Sequence, residues 1–137
     1  TRLICDEFYG TTPEHGYGYG QDEDQGQLGA WYVMAAMGLF DVQGGTNITP
    51  SYQIGSPKFH KITIKLDPRY YSGKTLVIET ENNAPDHYYV QSATLNGQPL
   101  EDCWFYRREI INGGHLKLQI DSTPNTRWGI ASMPHSK

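Results

Sequence analysis

The stretch GYGYGQDEDQGQLGAWYVMAAMGLF, Gly16 to Phe40, sets the frame for the whole chain. A glycine–tyrosine run leads into three consecutive acids, and the acids lead into an apolar segment with helical spacing. Leu28, Trp31, Val33, Met34 and Met37 give a broad apolar face, while Ala30, Ala35 and Ala36 allow close packing. Asp24 followed three places on by Gln27 reads as a capping box, which would open the helix at the acids. Gly38 suits the left-handed position that ends a helix, with Leu39 and Phe40 closing over the last turn. A helix this apolar is expected to lie buried in a helical assembly, and it is too short to span a bilayer.

The acids are where the loop turns into the helix. In an extended lead-in, Asp22 and Asp24 share a side and Glu23 faces away. The helix N-terminus favours nearby anions and keeps Asp24 ionised, and repulsion between the two aspartates raises the pKa of one of them. A carboxylate so tuned suits general-base work. Spacing alone leaves a plainer role open, since Asp24 can equally be an N-cap. A calcium loop of the EF-hand kind fits poorly: Gly26 falls one residue early and Val33 stands where the bidentate Glu is required.

Outward from this stretch, the residues before it carry no clear period, although Leu3, Ile4, Phe8 and Tyr9 fit the tail of an earlier helix. After Asp41 the composition changes, and a Gly-rich polar connector runs to Pro50. Short segments with period two follow. Phe59 to Leu66 puts Ile62, Ile64 and Leu66 on one face, and Thr75 to Thr80 repeats the alternation more weakly. Tyr88 to Leu95 is a third strand, closed by Asn96-Gly97, a type I′ turn signal, with Trp104 to Arg107 as the expected return strand. His115 to Ile120 alternates again, with Leu116, Leu118 and Ile120 inward. These segments predict an antiparallel sandwich after the helix.

The 137 residues hold 37% hydrophobic and 19% charged side chains, as in a water-soluble globular protein. A net charge of −4 with no Lys/Arg run gives nucleic-acid binding little electrostatic support. Ten Tyr, three Trp and four Phe suit sugar faces and sheet cores alike. Cys5 and Cys103 are too few to fix a redox compartment, and they can be free, paired together or paired elsewhere. The five histidines show no metal-ligand spacing, which favours ordinary scaffold roles for His60 and His115. Trp31, at helical spacing, reads as core before it reads as a sugar platform. With neither an initiator Met nor a leader at Thr1, the sequence reads as a fragment or processed product.

Four stretches carry a resemblance to a known family: DEDQGQLGAWY at 22–32, MGLF at 37–40, YQIGSPKF at 52–59 and QSATLNG at 91–97. In this order and spacing the chain resembles the C-terminal end of glycoside hydrolase family 92, the calcium-dependent exo-acting α-mannosidases. The resemblance implies an α+β fold: residues 1–46 as the end of an (α/α)6 catalytic barrel with its last helix, and residues 47–137 as a mainly antiparallel β-sandwich region. It implies inverting removal of terminal mannose, most often α-1,2-linked, from glycans met in a secreted or periplasmic setting. The positions of Asp22 and Asp24 resemble those of the family's general base. Inversion needs base and acid roughly 6.5–9.5 Å apart. The acid is expected upstream of this chain, as are most ligands of the Ca2+ cofactor, so the fragment alone is expected to be inactive. Its partners are then the rest of the parent polypeptide and mannose-containing glycans, without nucleic acid or membrane insertion. Two positions depart from the family habit: Asp22 stands where Asn is frequent, and Gln21 where Gly is common. The competing expectation is a non-catalytic carbohydrate-binding β-sandwich in which the acids only cap a helix.

Overall fold

The computed structural model describes residues 1–9 and 25–134. Two helices come first, α1 (Arg2–Glu7) and α2 (Gln27–Met37), followed by β1 (Leu39–Phe40), β2 (Ser51–Ile54), β3 (Lys61–Lys65) and β4 (Thr75–Glu81). The chain continues through β5 (Tyr89–Leu95), β6 (Gln98–Leu100), β7 (Trp104–Tyr106), a 3-10 turn (Arg107–Glu109) and β8 (Gly114–Asp121). This is an α+β arrangement, mostly sheet, with one three-stranded sheet (β1-β2-β7) and one five-stranded sheet (β3-β4-β8-β5-β6).

The larger sheet is organised by β8, whose Leu116, Leu118 and Ile120 are fully excluded from solvent. Their period-two spacing puts all three on one face. Leu76 and Ile78 of β4 and Ala93 and Leu95 of β5 meet them there, and Leu39 and Phe105 bring the smaller sheet into the same apolar cluster. The opposite face of β8 is polar, with Lys117 paired to Glu81 at 2.5 Å and His115 Nε2 3.1 Å from Glu79. One face is apolar and the other charged, so a one-residue slip would bury the charges; the alternation therefore fixes the register.

Three expectations need correction. The strands are mainly antiparallel, as expected, but not wholly so: β4 and β8 run parallel, with Ile78 opposite Leu116. The three strands intervening between them supply the long crossover that a parallel pair requires. The return strand of the Asn96-Gly97 hairpin is β6 rather than Trp104–Arg107, with Leu95 opposite Gln98. Asn96 and Gly97 take φ of 53° and 80°, a two-residue I′ turn that forces pairing at once. Pro99 is tolerated because β6 is an edge, and β7 instead joins β2 in the other sheet, Tyr52 opposite Phe105.

The third correction concerns α2. It begins at Gln27 with Gly26 (φ 86°) at the N-cap, so the Asp24–Gln27 capping box does not set its start. Its burial is also narrower than expected: Ala35 and Ala36 are its buried residues, Trp31 is half-buried and Val33 is 56% exposed. Its C-terminus matches expectation, with Gly38 left-handed at φ 73°.

That terminus is held by the segment 55–58. The Gly55 N–H donates to the Gly38 carbonyl at 2.7 Å and the Lys58 N–H to the Ala36 carbonyl at 3.0 Å. A side chain at Gly38 would also bring its Cβ to 2.7 Å from the Pro57 ring. Leu118→Ala is expected to cost about 2–5 kcal/mol, as large-to-small changes in a close-packed core do. Urea unfolding measures it, and a loss under about 1 kcal/mol would mean that β8 is not the central strand.

Candidate functional site

The structure assembles one end of the molecule around the start of α2. Gln25 and Gly26, both left-handed at φ 57° and 86°, make a sharp turn into the helix. Left-handed backbone is uncommon for a residue with a Cβ, and strain of this kind is retained where the surroundings over-determine it. Behind the turn, Tyr9 stacks on Trp31 with ring centroids 5.2 Å apart and planes 16° from parallel, and it meets Tyr32 at the same distance. Ile4, Tyr9, Gln27, Leu28 and Trp31 line a small cavity of about 210 Å3. Trp31 thus serves as a half-exposed wall rather than as core.

Two cations tie this end to the sheets. Lys58 Nζ lies 2.6 Å from Asp6 and 5.8 Å from the centre of the Tyr32 ring, linking α1, α2 and the 55–58 segment. The hydrogen bond to Asp6 raises the Lys58 ammonium pKa above its ordinary value, with desolvation opposing the shift. Arg2 is 7% exposed. Its Nη1 donates to the carbonyls of Pro57 (3.3 Å) and His87 (3.0 Å) and to the Asn83 side chain (2.7 Å), and its Nη2 donates to the Ala84 carbonyl (2.9 Å). Tyr88 covers it at 5.6 Å.

Asp22 and Asp24 lie outside the described residues, as does the glycine–tyrosine run. The described chain resumes at Gln25, one residue beyond Asp24. Among the described residues no three His, Cys, Asp or Glu side chains converge as a metal-binding group. Cys5 and Cys103 are both free; burial raises the Cys5 thiol pKa, which keeps it in the unreactive protonated form. His115 stands exposed on β8 and His60 just before β3. Sequence reading missed Arg2 and the Lys58–Asp6 pair, whose partners are tens of residues apart and carry no local signal.

Because Lys58 is raised by a partner gained on folding, the stabilisation is fully present below about pH 10.4 and fades as pH climbs through the raised value. The pair is partly exposed, so Asp6→Asn is expected to cost only about 0.2–1 kcal/mol at neutral pH. That difference from the parent protein should close at strongly alkaline pH. Denaturant titrations of both proteins at the two pH values check it; a gap that persists unchanged would exclude the ion pair as its source.

The fold and this end of the molecule have known counterparts. The family model of the glycosyl hydrolase family 92 catalytic domain matches residues 1–122. A protein described as an uncharacterized secreted glycosidase from Arthroderma benhamiae is 33% identical over 110 residues, which are 79% of this chain and 13% of that protein. A family GH92 α-mannosidase from Bacteroides thetaiotaomicron superposes with a TM-score of 0.80 at 29% identity, over 95% of this chain and 16% of its own. A family GH92 inverting mannosidase from the same organism gives 0.76 at 40% identity, over 93% and 16%. The chain therefore spans about a sixth or less of the relatives it matches. With sequence and fold agreeing over most of its residues, the chain belongs to glycosyl hydrolase family 92.

Proposed function

We propose that this chain is the C-terminal part of an inverting exo-α-mannosidase, with Asp24 as principal general base and Asp22 assisting it. The observation that carries this reading is the family match over the acidic segment and the helix it enters. The solved relatives, an α-mannosidase and an inverting mannosidase, support mannose as the sugar and inversion as the outcome. Asp24 takes a proton from water as the water oxygen attacks the anomeric carbon. The glycosidic bond breaks from the opposite side, and a carboxylic acid outside this chain protonates the leaving oxygen. The product is β-mannose. The α-1,2 linkage belongs to the same proposal.

The proposed architecture places residues 1–46 at the end of an (α/α)6 barrel and 47–137 in a β-sandwich region. Exposed apolar side chains on and next to the two helices favour this: Leu3 of α1 and Phe8 just after it are each 49% exposed, and Val33 of α2 is 56% exposed. Further helices would cover them. Calcium is part of the proposal through the resemblance alone. Among the described residues no three His, Cys, Asp or Glu side chains group as a ligand set for it. A secreted or periplasmic setting is proposed from the family resemblance, and the relative described as a secreted glycosidase supports it.

The intact enzyme acting on α-1,2-mannobiose, followed by proton NMR, is expected to release β-mannose before mutarotation. Asp24→Asn should lower kcat by about 10²–10⁴-fold, the usual contribution of a general base, with folding little changed. Removal of calcium by a chelator should stop release. If Asp24→Asn turns over nearly as fast as the parent, the base is another residue. If sugar binds but nothing is released, the chain belongs to a carbohydrate-binding protein and the acids are not catalytic.

A further inference from the structure

A second feature lies away from α2, between the β3–β4 connection and the turn that follows β7. Tyr70, Tyr71, Arg107, Arg108, Ile111 and Asn112 line a cleft of about 540 Å3. Its two walls are fastened together. The Ser72 hydroxyl donates to the Asn112 side chain, and Arg107 Nη2 donates to the Tyr71 hydroxyl at 3.3 Å. Gly73 passes so close to Asn112 that a Cβ there would overlap the Asn112 carbonyl. A cleft held in this way is pre-organised and loses little entropy on taking a ligand.

The two arginines of the cleft carry no close ion-pair partner, although Asp41 acts on Arg107 through space. The carboxylates nearest in sequence are engaged: Asp67 holds Arg69 at 2.6 Å, and Glu109 accepts the Tyr106 N–H at 2.7 Å. Among the described residues neither Arg107 nor Arg108 has a carboxylate within ion-pair distance. The Arg108 guanidinium lies 4.3 Å over the Tyr106 ring. Stacking of this kind uses the face of the guanidinium and leaves its in-plane N–H donors for a planar or tetrahedral anion. Beside them Tyr70, 76% exposed, carries the Arg69 guanidinium 5.6 Å over one side of its ring, and the other side suits the C–H face of a sugar ring.

We infer that this cleft binds a sugar carrying an anionic group, a carboxylate or a sulfate ester, with Arg107 and Arg108 on the anion and Tyr70 against the ring. The choice of a sugar as carrier rests on the glycosidase reading, whereas the preference for an anion rests on the two arginines. Calorimetric titration of the intact protein at low ionic strength tests it with methyl β-glucuronide, glucose 6-sulfate, methyl α-mannoside and sodium sulfate as probes. One or both of the anionic sugars should bind at least about tenfold more tightly than the mannoside, the ratio that one charge-assisted contact supplies. Arg108→Gln and Tyr70→Ala, each with an unaltered melting temperature, should weaken that binding by a similar factor. The catalytic substitution Asp24→Asn should leave it unchanged, so the cleft and the catalytic reading fail separately. Equal affinity for methyl α-mannoside, or tight binding that survives Arg108→Gln, would overturn the assignment. Inorganic sulfate binding as tightly as both anionic sugars would overturn the sugar and leave only an anion site.

Discussion

The end of α2 is captured by the segment 55–58, and much else is positioned by that contact. A helix leaves its last carbonyls without intrahelical partners. Here Gly38 turns left-handed and exposes them to the segment that follows β2, whose Gly55 and Lys58 N–H groups donate to the carbonyls of Gly38 and Ala36. Leu39 opposite Ile54 then continues the same contact as sheet pairing. Two of the four stretches that resemble the family, MGLF and YQIGSPKF, are thus the two halves of one joint. Gly38 is required twice over: it supplies the left-handed turn, and a Cβ there would run into the Pro57 ring.

The joint explains how a helix with few buried side chains is held. Lys58 and Pro57, both in the capturing segment, are also the attachment points for α1, through Asp6 and Arg2. With its C-terminal end fixed to the sheets and its flank fixed to α1, α2 has a set direction. Its N-terminal end, where the acids enter, inherits that direction. Packing at its C-terminal end thus sets where Gln25 and Gly26 stand, the described residues that follow the proposed base in sequence.

What the sequence made legible follows the range of the interactions. The β8 alternation, the Asn96-Gly97 turn and the Gly38 terminus are set by residues within a few positions of one another, and each is where the spacing put it. The Asp24–Gln27 capping box is also a local signal, yet the helix begins at Gln27, because a left-handed Gln25-Gly26 turn intervenes. Partner choice among strands was not legible: Trp104–Arg107 has the composition of a hairpin return, but the two-residue turn had already claimed Gln98–Leu100. The aspartates were conspicuous as a run of charge, while the arginine cleft was not. Its walls come from residues about 36 positions apart, and nothing in either segment alone indicates that they meet.

Arg2 shows why some of this architecture uses charge where apolar packing would be less costly. Burying a guanidinium forfeits hydration, and among the described residues no carboxylate offsets it; its Nε lacks any hydrogen-bond partner there. A methionine of similar length would avoid that loss but would accept many orientations. The guanidinium fork does not. Its Nη groups must meet the carbonyls of Pro57, Ala84 and His87 and the Asn83 side chain together, which fixes α1 against two separate loops at once. Those acceptors are neutral, so the contact gains from charge-assisted hydrogen bonds without a paired anion. The Tyr88 ring closes over the same group. Stability is surrendered for a single docking geometry, and that geometry sets where α1 and, through Lys58, α2 stand relative to the sheets.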